Sequence, residues 1–195
     1  MRLVTVARRT GSANRVAQEV TQRAARALGV PGVVSYDPVG ADPSSIVVPL
    51  LLSSAHDLPL APLGPHPLIA AAQAARLVRA GARPGTPVVM VALGAHGPGI
   101  AAHLERAVEL LAHSWTGPVE LATLNGPGRR PEEVLRRRVA VSPYLLSPGA
   151  EEAHIRGLAQ AAGVTALADV VGAHRFVADL VVRRFRVSAA RSHAA

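Results

Sequence analysis

Eight histidines and no cysteine define the chemistry open to this 195-residue chain. Disulfides, thiolate metal sites and cysteine nucleophiles are excluded, so a transition metal would be held by imidazole and carboxylate. Four segments place chemically useful residues directly after apolar, β-branched runs. "LVTVA" (3–7) leads into Arg8 and Arg9, and "IVVPLLLSS" (46–54) into His56. "VVMVAL" (88–93) leads into His96, and "VAVSPYLLS" (139–147) into Glu151, Glu152 and His154. A neutral imidazole or a carboxylate can ligate a divalent cation or accept a proton. An arginine stays protonated and only donates hydrogen bonds.

The four runs read as buried strands, and helical periodicity fills most of the intervals between them. Ser12 or Asn14 is expected to cap a helix running to about Leu28, and Pro67 opens a second helix. Further helices are expected over Ile100 to Trp115, from Pro131 through "PEEVLRRR", over Glu151 to Ala162, and at the end of the chain. Weaker strands fall in "GVVSYDPVGADPSS", "PVELATL" and "VTALADVV". Strand–helix alternation predicts an α/β fold of two similar lobes, each a small parallel sheet flanked by helices. "AGARPGTP" (80–87) is the expected linker, giving lobes at 1–80 and 88–187 and a frayed tail at 188–195. Ligands of open parallel sheets bind beyond the carboxyl ends of the strands, which is where the four loops above would lie.

An internal repeat supports the two-lobe division. "LGPHPLIAAAQAARL" (63–77) superimposes on "VGAHRFVADLVVRRF" (171–185) at an offset of 108 (171 − 63), pairing Gly64 with Gly172, His66 with His174 and Arg76 with Arg184. The strong strands match at 94, with Pro49 on Pro143 (143 − 49). The first half is therefore shorter by 14 residues (108 − 94) between strand and motif, about one helix and its loop. His66 and His174 each precede a helix, where a ring nitrogen can satisfy a backbone group, so their recurrence reads as structural. His103, His113 and His193 read as surface residues. "GAHGPG" lacks the glycine spacing of a dinucleotide-binding loop.

The net charge is +8, and all 21 basic residues are arginine. Arginine's planar fork suits carboxylates and phosphates, which points to an acidic small molecule. Nucleic acid is the weaker partner, because the chain has only five aromatics for base stacking and no recognised binding motif. No run reaches the ~18 apolar residues of a membrane span, and no signal-peptide pattern follows the amino terminus. The expectation is a cytoplasmic protein with no membrane association.

"LVTVARRTG", "VVPLLLSS", "LGPHPLIAAA", "SPYLLSPG" and "VVGAHRFVADLVVRRF", in this order, resemble the sirohydrochlorin chelatases of cobalamin and sirohaem biosynthesis, bilobal relatives of ferrochelatase. The resemblance implies insertion of cobalt, iron or nickel, as a divalent ion, into a polycarboxylate tetrapyrrole held between two lobes, with no organic cofactor. It implies metal ligation by His56, His96 and His154 and catalysis by His96 and Glu152, and Arg8 and Arg9 are expected to contact the acidic substrate. A homodimer is compatible with it. The family's first strand ends in V-A-H-G, whereas this chain reads Val6, Ala7, Arg8 and Arg9, so Arg8 replaces the family histidine. That departure and the shortened first half support an alternative, a family member that binds tetrapyrrole, metal or a protein partner without turnover.

Overall fold

The computed structural model describes residues 1–7, 11–37, 42, 44–53, 61–94, 99–126 and 128–193. Two parallel sheets form. In the first, β1 (Arg2–Val6) lies between β2 (Gly32–Ser35) and β3 (Ser45–Pro49). In the second, β4 (Val88–Ala92) lies between β5 (Val119–Thr123) and β6 (Ala140–Tyr144), and β7 (Ala166–Leu167) adds to the outer side of β6. Register brings Val6 opposite Ser35 and Pro49, and Ala92 opposite Thr123 and Tyr144, so the carboxyl ends of neighbouring strands align. The short β7 pairs only with Ala140 and Val141, which spares Pro143 the ladder bond that its missing N–H could not supply.

The helices are α1 (Gly11–Leu28), α2 (Pro67–Arg79), α3 (Ile100–Trp115), α4 (Pro131–Val134), α5 (Ala150–Ala162) and α6 (Arg175–His193). Alternation along β4 divides two cores. Val88, Met90 and Ala92 join a core shared with Leu3, Ile46, Leu77 and Leu180, whereas Val89 and Val91 face Val134, Ile155 and Ala159 of α4 and α5. The shared core exists because two helices cross over. α2, from the first half, packs on β6 and α3, and α6, from the second half, packs on β3 and α1. Gln73 of α2, buried among apolar groups, donates through Nε2 to Ser142 Oγ of β6 at 2.9 Å.

Reciprocal arginines pin the two exchanged helices. Arg76 of α2 donates through Nε and Nη2 to the Val171 carbonyl at 3.3 and 3.2 Å, just ahead of α6. Arg184 of α6 donates to the Pro62 carbonyl at 3.3 Å, just ahead of α2. Gly172, at φ 65°, leaves room for the first contact, since a Cβ there would lie 3.0 Å from Arg76 Nη2.

Three local expectations change. α1 begins at Gly11, which puts Ser12 and Asn14 inside its first turn rather than at its cap. α4 stops at Val134 and does not continue through "LRRR": Leu135 is extended and buried, and Arg138 takes φ 76° so that the chain can turn into β6. The segment after Val187 is helical through His193, with Ala189 packed against the core, rather than frayed. The interval from Pro143 to His174 holds α5 and β7, whereas the described residues between Pro49 and His66 include no helix. Among the described residues, no helix is long and apolar enough to cross a membrane.

The Gln73–Ser142 contact gives a test of the helix exchange. Ser142→Ala should cost about 1–3 kcal/mol in urea unfolding, because it strands a buried amide donor, whereas Gln73→Leu combined with Ser142→Ala should recover most of that loss.

Candidate functional site

Groups from both sheets meet at the carboxyl ends of β3 and β6. Leu50 to Leu52 continue inward past β3, and the Leu52 carbonyl receives two bonds from the other half. Tyr144, the last residue of β6, donates its hydroxyl at 3.2 Å. His103, in the first turn of α3, lies with Nε2 at 3.0 Å. A carbonyl can only accept, so the His103 proton resides on Nε2. The His103 and Tyr144 rings meet edge to face, with centroids 6.4 Å apart. Burial raises the Tyr144 phenol pKa above its usual value, keeping the hydroxyl protonated as a donor. Burial also lowers the His103 pKa, and the Leu52 bond opposes that shift.

Gly64 packs against the same carbonyl. A Cβ at this position would lie 2.1 Å from Tyr144 Oη and 2.5 Å from Leu52 O. Backbone approach at the seam therefore requires glycine, and Leu63 N–H bonds the Leu51 carbonyl at 2.7 Å beside it.

His66 and His174 both act as helix caps. His66 Nδ1 accepts from Leu68 N–H at 3.1 Å, and His174 Nδ1 accepts from Phe176 N–H at 3.3 Å. Each ring must be unprotonated at Nδ1 to do so. Partial burial lowers the pKa of both, followed by the charges of Arg184 and Arg183 on His66 and of Arg76, Arg175 and Arg23 on His174.

The sequence candidates are distributed unevenly. Arg8, Arg9, His56 and His96 lie outside the described residues. Glu152 lies in the first turn of α5 and is paired with Arg156, whose Nε is 3.0 Å from Oε1, leaving the carboxylate 16% exposed. His154 is exposed on the same helix, two positions on, where side chains do not face one another. The structure thus does not bring Glu152 and His154 together. Among the described residues, no group of three or more His, Asp or Glu side chains is assembled to hold a metal ion.

His103 is the residue that sequence reasoning missed, because it is half-buried at the seam rather than on the surface. The signal was present: Ile100, Leu104, Ala107 and Leu111 form the apolar stripe of α3, and position 103 belongs to that stripe.

Two outcomes follow from this geometry. Gly64→Ala should lower stability by at least about 2 kcal/mol, read by urea unfolding, because both clashing atoms are fixed by hydrogen bonds. The capping histidines have folded-state pKa values below 6.5, so their stabilisation is complete above pH 6.5 and disappears as pH falls through the folded values. The melting temperature should fall between pH 7 and about pH 5, and the fall should be smaller in a His66→Asn, His174→Asn double variant, whose caps do not titrate.

No family model matches the sequence, and no curated protein sequence matches it. Solved structures do match the fold. SirB from Bacillus subtilis with Fe3+ superimposes at a TM-score of 0.78 and 19% identity, covering 99% of this chain and 97% of that one. The sirohydrochlorin chelatase SirB from Bacillus subtilis subspecies spizizenii, in complex with cobalt, gives 0.74 at 19% identity over the same shares. CbiX, the terminal enzyme for biosynthesis of sirohaem in denitrifying bacteria, gives 0.71 at 17% identity, covering 96% and 98%. Over nearly its whole length, the chain has the two-sheet α/β fold of the sirohydrochlorin chelatases.

Proposed function

We propose that this chain belongs to the sirohydrochlorin chelatase family and inserts a divalent metal, cobalt, iron or nickel, into a polycarboxylate tetrapyrrole of cobalamin or sirohaem biosynthesis. The observation that carries this reading is the fold likeness, which spans 99% of the chain and 97% of a structure solved with Fe3+. Support also comes from chain position, since His56 and His96 follow the carboxyl ends of β3 and β4, where parallel sheets bind ligands. The arginine-only basic complement suits a substrate rich in carboxylates.

In this reading the metal and the tetrapyrrole are both substrates. Insertion of a divalent ion displaces two pyrrolic protons, so the site needs neutral donors for the metal and an acceptor for the protons. His56, His96 and His154 are the proposed donors, and His96 and Glu152 the proposed acceptors. Arg8 and Arg9 are proposed to face substrate carboxylates. For Glu152 to act, it must exchange its pairing with Arg156 for the reacting centre.

The second reading, binding of a tetrapyrrole without turnover, is favoured by two observations. Arg8 stands where the family places a histidine, and Glu152 already holds a cationic partner. Anaerobic incubation with sirohydrochlorin and Co2+, Fe2+ or Ni2+, followed by tetrapyrrole absorption, separates the two. Acceleration above the spontaneous rate, lost by about tenfold or more in His96→Ala or His56→Ala, is the expected result. Spectral binding with no acceleration establishes the second reading instead.

A further inference from the structure

Net charge is distributed unevenly over the helices. α1, α2 and α6 carry ten arginines against two carboxylates, Glu19 and Asp179, a balance of +8 (10 − 2). The rest of the chain carries eleven arginines and eleven carboxylates, so these three helices hold the whole formal charge of the protein. Helices α3, α4 and α5 instead carry six carboxylates and only Arg106 and Arg156. A general preference for arginine would load every helix alike, so the segregation has another cause.

The charged helices also form one surface. α6 packs against both α1 and α2, which makes the three a continuous layer. Helices of 13 to 19 residues are about 20–28 Å long, and three of them at about 10 Å spacing give a face of about 600–800 Å². That is the scale of the ~800 Å² that a standard protein interface takes from each partner. Arg175, Asp179, Arg183 and Arg186 share the exposed face of α6, and among the described residues none of these arginines makes an ion pair, with Asp179 or with any other carboxylate.

Apolar exposure on the same layer selects the class of partner. Val78 of α2 and Val187 of α6 are 58% and 51% exposed, and among the described residues they are the large hydrophobics left exposed on helices. A phosphate backbone gains nothing from a valine. The aromatic ring of this face, Phe176, is engaged by His174 and lies under the Arg175 guanidinium, so it is not open for base stacking. Arginines around exposed aliphatic side chains are instead the composition of a protein interface.

We infer that the α1–α6–α2 layer is a docking face for an acidic protein surface, whose carboxylates meet the arginines of α6 and whose apolar side chains cover Val78 and Val187. The inference stands apart from the chelatase reading and holds whether or not the chain turns over.

The test uses the full chain and two soluble peptides of equal charge, one of repeated Glu-Glu-Leu units and one with serine in place of each leucine. At physiological ionic strength the leucine peptide should bind, and at least about threefold more tightly than the serine peptide. Arg183→Glu combined with Arg186→Glu should weaken it at least about tenfold at an unchanged melting temperature, and Val187→Asn should abolish the preference for leucine. Arg137→Glu combined with Arg138→Glu makes the same charge change at exposed positions ahead of β6, and should weaken binding less than about twofold. No binding of either peptide, equal affinity for the two, or equal losses in the two charge-reversed variants would each overturn the inference. So would tighter binding of a short random-sequence DNA duplex that is indifferent to Val187→Asn, which would make the layer a nucleic-acid face. Should the Arg183, Arg186 variant fail to fold, amide shifts of the wild-type chain decide: perturbations on α1, α2 and α6 are expected, and perturbations confined to other elements overturn it.

Discussion

Helices α2 and α6 each bury their apolar face on the sheet built by the other half of the chain, and the rest of the architecture depends on that exchange. Ile69 and Leu77 of α2 and Leu180 and Val181 of α6 are almost fully buried. At roughly 1.5–3 kcal/mol for each large aliphatic side chain removed from water, these four alone outweigh any single polar contact between the halves. Separating the sheets would expose both helix faces, because the two halves share one core. The arginine bonds from Arg76 to Val171 and from Arg184 to Pro62 add direction to this nondirectional force. They fix where along the sheet each helix sits.

The exchange also decides what the histidines do. Each crossing helix has to begin at a defined place, and an imidazole at its cap satisfies a backbone N–H that would otherwise be orphaned. His66 and His174 are thereby committed to structure, and their lowered pKa values are the electrostatic expression of that role. His103 is placed by the same architecture, because α3 packs against α2 and brings its first turn onto the chain leaving β3. The close approach at Gly64 completes the seam: with any side chain there, Tyr144 and Leu52 could not both keep their positions.

Most elements were legible in the residues. The β-branched runs at 3–7, 88–93 and 139–147 hold β1, β4 and β6, the run that begins at 46 holds β3 only as far as Pro49, and the periodic stretch Ile100 to Trp115 became α3 with those bounds. Local signals misled where tertiary geometry overrode them. "PEEVLRRR" has good helical propensity, but Leu135 is drawn into the core under β4 and the chain must then turn into β6, so α4 ends after one turn. The terminal "SAARSH" reads as weakly apolar, yet it continues a helix already docked on the core. Glu152 follows β6 in the chain, and the structure pairs it with Arg156 one helical turn away, a partner set by helical spacing.

The sequence by itself determined the fold class and the order of most strands and helices. These follow from periodicity and β-branching, both of which act over a few residues. Tertiary structure decided which sheet each helix covers and which histidines are occupied. It also brought Leu52, His103 and Tyr144, far apart in sequence, to one carbonyl oxygen. Those outcomes depend on hydrophobic faces being buried against whichever surface fits them, a long-range and nondirectional choice that leaves no mark on local spacing.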